Sequence, residues 1–307
     1  MTYLFLILGL SMLFYGGNLL VDGSVAVAKR LGISPLLIGL TLVGFGTSTP
    51  ELTTSLIAAF NGNDGISVGN VVGSNIANIL LVLGVAAVIS PVLVQLKPFR
   101  RDAYFLVLSS LLLLVGGFLG RIGFILGSIM TAGLVFYVWY SYVMDKKEQK
   151  EKQVKPENTS LIKNLSIALV GITLTILGAK FLVNSSVKLA TDWGISEALI
   201  GLTIVAVGTS LPELATSVIS AIKGHNDVAF GNVVGSNIYN ALFIMGLTGM
   251  IRPVQVQFSM LWDILIMIVV TGLLIYIAFR YQKFSRLSGI AFLILYALYL
   301  VYLGMNT

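Results

Sequence analysis

Apolar stretches of bilayer-spanning length recur along the chain, separated by short polar breaks. Ten are read, over about 3–27, 36–60, 66–90, 103–120, 122–143, 164–190, 198–222, 228–250, 260–279 and 287–304. Gly120-Arg121 marks the turn that divides the fourth from the fifth. The first stretch lacks a basic leader and a small-residue cleavage pattern, so it is read as a span rather than a signal peptide. One long polar run interrupts the series, from Asp145-Lys146-Lys147-Glu148 to Lys155-Pro156-Glu157, and is expected to be a solvated linker. The expected organisation is a five-helix half over 1–144, a charged linker over 145–163, and a second five-helix half over 164–307.

The two halves repeat. Gly32 to Asn78 aligns with Gly194 to Asn240 at a constant offset of 162 residues, without a gap, with 29 of 47 positions identical. Ile38-Gly39-Leu40-Thr41 returns as Ile200-Gly201-Leu202-Thr203, and Gly69-Asn70-Val71-Val72-Gly73-Ser74-Asn75-Ile76 returns unchanged as Gly231 to Ile238. Five spans per half is an odd number, so the second half enters the membrane the other way up. The expected fold is therefore an all-α membrane protein of ten transmembrane helices in two inverted-topology five-helix repeats, with proline-broken helices at the centre. Proteins built this way place their substrate site near the midplane, where discontinuous helices meet.

The break is written in the repeated motif Gly46-Thr47-Ser48-Thr49-Pro50-Glu51 and its partner Gly208-Thr209-Ser210-Leu211-Pro212-Glu213. Pro50 has no N–H and crowds the carbonyl of Gly46; Pro212 does the same to Gly208. Thr49 is pushed away from helical geometry, and Gly44 loosens the turn before it, where the second copy has Ala206. Carbonyls freed inside a membrane must find a partner or line a wet cavity. An ionised glutamate facing lipid would cost several kcal/mol, so Glu51 and Glu213 are expected to face inward. Helical spacing places Thr47, Ser48 and Ser55 on the face of Glu51, and Thr209, Ser210 and Ser217 on that of Glu213. In the following spans Ser74 shares a face with Asn78, and Ser236 with Asn240. Asn75 and Asn237 are either ligands or bonds between helices, and Gly69, Gly73, Gly231 and Gly235 serve close packing. Hydroxyls, carboxylates and carbonyls are hard oxygen donors that suit Na⁺ and Ca²⁺.

Composition narrows the chemistry. The 307 residues are 57% hydrophobic and 10% charged, with mean hydropathy +0.95. There is no cysteine, and the single His225 sits in a short polar stretch, so thiolate, zinc and Ser-His-Asp chemistry lack material. No enzymatic activity and no cofactor are expected. The net charge of +6 follows membrane orientation rather than nucleic acid. With a cytoplasmic linker, fifteen Lys and Arg fall inside and only Arg121, Lys188 and Arg252 outside, which puts both termini outside the cell membrane.

At these residues the sequence resembles the cation/Ca²⁺ exchanger superfamily, and most its prokaryotic sodium/calcium exchanger branch. The resemblance spans essentially the whole chain and is specific in the repeats. It implies four central ion sites whose ligands are Glu51, Glu213, the hydroxyls of Thr47, Ser48, Ser74, Thr209, Ser210 and Ser236, and the carbonyls of Gly44 and Ala206, with Asn78 and Asn240 in the remaining polar places. It also implies that spans one and six slide past the other eight. Some relatives, including potassium-dependent ones, carry Asp where Asn240 stands, so K⁺ coupling is not expected. The implied activity is Na⁺/Ca²⁺ antiport by alternating access, electrogenic if three Na⁺ exchange for one Ca²⁺. H⁺/Ca²⁺ antiport on the same scaffold, a passive cation channel and a non-transporting scaffold are the competing readings. Membrane lipid and the two ions are the expected partners, with no obligate protein partner and no nucleic acid.

Overall fold

The computed structural model describes residues 2–153, 156–194 and 206–306, and they are almost entirely helical. Glu197, the motif Ile200-Gly201-Leu202-Thr203 and the first part of the predicted seventh span lie outside the described residues. The elements in order are α1 (Thr2–Leu31), α2 (Pro35–Thr47), α3 (Thr49–Phe60), α4 (Asp64–Ile89), β1 (Val92–Leu93), α5 (Leu96–Phe118), β2 (Arg121–Ile122), α6 (Phe124–Glu151) and α7 (Leu161–Asp192). They continue as α8 (Ala206–Gly208), α9 (Leu211–Ile222), α10 (Asn226–Ile251), β3 (Val254–Gln255), α11 (Met260–Tyr281), β4 (Lys283–Phe284) and α12 (Arg286–Asn306). Among the described residues, eight helices are long and apolar enough to cross a membrane, while α2 and α9 are shorter apolar helices. The predicted span 36–60 is thus two short helices in series, as its proline requires.

The offset of the sequence repeat also governs the elements. Shifting α3, β1 and β2 by 162 residues lands on the limits of α9, β3 and β4. A π turn opens at Asn78 within α4 (Asn78–Val82), and another opens at Asn240 within α10 (Asn240–Ile244). Such a turn inserts one residue into the coil and re-aims the side chains after it. The strands pair crosswise between the halves: Val92 lies opposite Phe284, and Arg121 opposite Gln255.

Core position follows from apolar content and small residues. α10 is the most enclosed helix, with Gly231 and Gly235 set so that a Cβ would meet the main chain of Leu36 at 2.7 Å and Leu40 at 2.5 Å. The stretch that would stand opposite Gly69 and Gly73 by the same offset falls in the residues not described. α1 and α7 form the closest helix pair. Gly9, Gly16 and Gly23, seven apart on α1, meet Gly178, Gly171 and Ala168 on α7. A Cβ on Gly9 would stand 2.8 Å from the Gly178 carbonyl, and one on Gly178 would stand 2.8 Å from that of Gly9. Small residues at these positions let the two backbones touch.

The linker differs from its expected form. α6 continues through Asp145 to Glu151 before Gln153 turns at φ 54°. The reason is local: Asp145 to Glu151 contains no Gly or Pro and is rich in helix formers, and Lys152 pairs with Glu148 one turn back at 2.9 Å. Asp145 is buried and accepts from the Ser34 amide at 2.8 Å, capping the start of α2. Asp102, in the second turn of α5, is also buried. It pairs with Arg101 at 2.7 Å and accepts from the Tyr137 hydroxyl at 3.2 Å.

Candidate cation site

The two glutamates lie on the first turns of α3 and α9, each directly after its proline. Pro50 and Pro212 occupy the opening positions of those helices, where a missing N–H is harmless and the fixed φ suits the turn. The chain leaves helical geometry at Ser48 (φ −82°, ψ 7°) and again at Ser210 (φ −86°, ψ 5°). The predicted break near Gly-Thr-Ser therefore falls on the serines. Gly46 and Gly208, just before it, are pressed by Ile172 and Val183 of α7, which leaves no room for a Cβ.

Glu51 is 1% exposed and Glu213 is fully buried. A hydroxyl of the opposite copy of the motif reaches Glu213: Ser48 Oγ donates to Glu213 Oε1 at 3.2 Å. The spacing argument grouped Thr47 and Ser48 with Glu51 and Thr209 with Glu213. The break turns the chain at Ser48, so its hydroxyl serves the other glutamate instead, while that of Thr47 lies against Val43 O and Asn232 Oδ1. Ser55 and Ser217, also expected beside the carboxylates, bond instead to carboxamides of the following helix.

The remaining polar residues converge from α4 and α10. Ser74, Asn78, Ser236 and Asn240 are all buried. Asn78 Nδ2 donates to Asn237 Oδ1 at 3.1 Å. Asn75 and Asn237 bond across the helix crossing through their amide nitrogens, while Asn75 Oδ1 has no partner among the described residues. Gly44 is buried, and its carbonyl accepts from the Ser48 amide at 3.1 Å; Ala206 opens α8 at the equivalent place. Several buried polar atoms have no hydrogen-bond partner among the described residues: Oε2 of both glutamates, Oγ of Ser210 and Ser236, Oδ1 of Asn78, and both amide atoms of Asn240. Buried oxygen left unpaired is costly, and a cation is a partner that these hard oxygen atoms fit.

A small cleft reaches Ser48 from one flank, lined by Phe45, Thr49, Leu52, Tyr239, Phe243 and Ile244. The Phe45 ring stands 5.6 Å from that of Tyr239 and 5.8 Å from that of Phe243.

Two residues of the site were not singled out in the sequence. Asn70 donates to the Glu51 carbonyl at 3.0 Å and to Ser55 Oγ at 2.9 Å. Asn232 donates to the Glu213 carbonyl at 3.2 Å and to Ser217 Oγ at 2.9 Å. The signal was present, since a carboxamide recurs in both copies of Gly-Asn-Val-Val within an apolar span.

Comparison with known proteins agrees with this geometry. The family described as sodium/calcium exchanger protein matches residues 1–143 and 163–305. The sodium/calcium exchanger MaX1 of Methanosarcina acetivorans is 33% identical, over 98% of both chains. The putative antiporter CaxA of Alkalimonas amylolytica is 35% identical, over 94% of this chain and 92% of its own. The solved structure of the sodium-calcium exchanger NCX_Mj soaked with zero Na⁺ and Ca²⁺ superposes with a TM-score of 0.84 at 31% identity, covering 97% of each chain.

Proposed function

Because the chain belongs to the sodium/calcium exchanger protein family, a family of membrane transporters rather than enzymes, we propose that it is a secondary antiporter exchanging Na⁺ for Ca²⁺ by alternating access. The observation that carries this reading is the pair of buried glutamates, each keeping one oxygen unpartnered among the described residues, with Ser48 of the first repeat bonded to Glu213 of the second.

Two ionised carboxylates give the site a charge of −2. A charge left bare in the hydrocarbon is expensive, so the site crosses only when loaded. One Ca²⁺ cancels it, and so do two Na⁺; a third Na⁺ leaves +1 and makes the cycle electrogenic. The return step then requires the other ion, which is exchange rather than leak. The ligands in this proposal are Glu51, Glu213, Thr47, Ser48, Ser74, Asn78, Thr209, Ser210, Ser236 and Asn240, with the carbonyls of Gly44 and Ala206. Ten spans in two inverted halves, 1–144 and 164–307 joined by 145–163, would set these groups near the midplane. The Lys and Arg bias places the linker in the cytoplasm and both termini outside the cell membrane. The close α1–α7 pair fits a unit that slides against the rest.

The same two glutamates can carry protons, so H⁺/Ca²⁺ antiport is the second reading. Reconstitution into proteoliposomes with Na⁺, K⁺ and H⁺ gradients imposed one at a time decides between them. Ca²⁺ uptake driven by the Na⁺ gradient and accelerated by a membrane potential is the expected result. Uptake that follows only ΔpH assigns the protein to proton coupling. Downhill flux indifferent to any counter-ion gradient means a channel.

A further inference from the structure

The carboxamides of Asn70 and Asn232 are bonded to the main chain of the glutamates rather than to their carboxylates. Each Nδ2 spans the first turn of a broken helix, from the glutamate carbonyl to the serine hydroxyl four residues on. A carbonyl only accepts, so the amide edge facing Glu213 must be the NH₂ edge. The Asn232 oxygen is thereby turned the other way, toward the first repeat. There it accepts from Thr47 Oγ1 at 3.2 Å. Asn232 is fully buried, so no water competes for that oxygen.

The Thr47 hydroxyl has one proton and three other oxygens within reach: Val43 O at 3.0 Å, Gly44 O at 3.4 Å and Asn232 Oδ1. A hydroxyl binds a cation only when its proton points away from it. A cation drawn to the Gly44 carbonyl would occupy one of those acceptors, and Asn232 then supplies another for the displaced proton. This argument rests on the ligand set proposed above.

We propose that Asn232, with Asn70 as its counterpart, is a positioning residue: it fixes the turn carrying its glutamate and orients the Thr47 hydroxyl so that oxygen rather than hydrogen faces the transported cation. Asn232 thereby couples the glutamate of the second repeat to the helix break of the first. Groups that orient metal ligands through a hydrogen bond change metal affinity by about 10–100-fold when removed.

The test measures Ca²⁺ dependence of Na⁺-driven uptake in proteoliposomes for Asn232→Ala, Thr47→Val and the double variant, beside Glu213→Gln. Asn232→Ala is expected to raise the KM for Ca²⁺ about tenfold with a much smaller change in maximal rate. A merely structural role would lower the amount of active protein and leave KM alone. Because part of what Asn232 does passes through Thr47, the double variant should lose less than the product of the two single losses. An unchanged KM in Asn232→Ala, or losses that multiply in the double variant, overturns the proposal. If Asn232→Ala does not fold, Ser217→Ala removes one anchor of the same amide. It should raise KM about two- to fourfold, near the cost of one ordinary hydrogen bond, and an unchanged KM there overturns the proposal equally. Normal exchange by Glu213→Gln instead sinks the ligand reading itself, which keeps the two failures apart.

Discussion

Asn75 and Asn237 donate their side-chain amides to each other's main-chain carbonyls, at 3.3 and 3.2 Å. They stand at equivalent places in the sequence repeat, both buried, where α4 crosses α10. Two identical bonds running in opposite directions are what a local two-fold relation between the crossing helices produces. The crossing holds the ends of the site together, because Asn78 leans on Asn237 as well. Replacing either residue by alanine leaves a buried carbonyl short of a partner. Each variant should lose about 1 kcal/mol, which lowers Tm in detergent by about 2–4 °C. Unchanged melting in both would show that the crossing does not depend on these amides.

Glu51→Gln and Glu213→Gln preserve side-chain shape, and at Glu213 the ability to accept from Ser48, while removing a charge. Either substitution alone should reduce Ca²⁺ exchange to background, with the protein still folded. Either substitution removes an anionic oxygen donor, on which a hard divalent cation depends most. Wild-type exchange in both variants would contradict the assignment of the site.

The α1–α7 contact permits a sharper steric test. A Cβ at Gly171 would collide with the main chain of Leu20, while Gly133 has only Leu242 Cδ1 at 4.0 Å. Gly171→Val should destabilise by about 1–3 kcal/mol or prevent assembly, as overpacking does. Gly133→Ala should be neutral or gain up to about 1 kcal/mol from helix propensity. Equal thermal shifts in the two variants would argue against a backbone-to-backbone contact.

Arg101 and Asp102 form a pair with side chains 12% and 1% exposed. Removing one member strands a buried charge. Asp102→Ala should cost about 3–5 kcal/mol, and the double change to apolar residues should recover much of it. The measurement is denaturation of each variant in detergent; additive losses would mean the pair is not coupled.

What could be read in advance follows from how local the cause is. Pro50 and Pro212 announce the helix break because a proline acts on its own turn. The repeat announced the equivalence of Glu51 and Glu213 through identity alone. The partner of Ser48 escapes the spacing rule, because spacing assumes an unbroken helix and the turn at Ser48 sends its hydroxyl to Glu213. The roles of Asn70 and Asn232 were hidden for a different reason: their bonds join neighbouring helices, and no periodicity along one helix records them. Asp145 looked like one more charge in a polar run, and only the fold brings the Ser34 amide to it. Two-residue strands such as β1 and β4 carry no alternation that a sequence could display.

Those strands bear on how the protein is made. β1 and β2 belong to the first half of the chain, but their partners β4 and β3 belong to the second. While the first half leaves the ribosome, both ladders have one edge exposed and nothing to pair with. The β2–β3 ladder can close only after Gln255 has been made and the β1–β4 ladder only after Phe284, so a product that stops before β3 keeps both edges open.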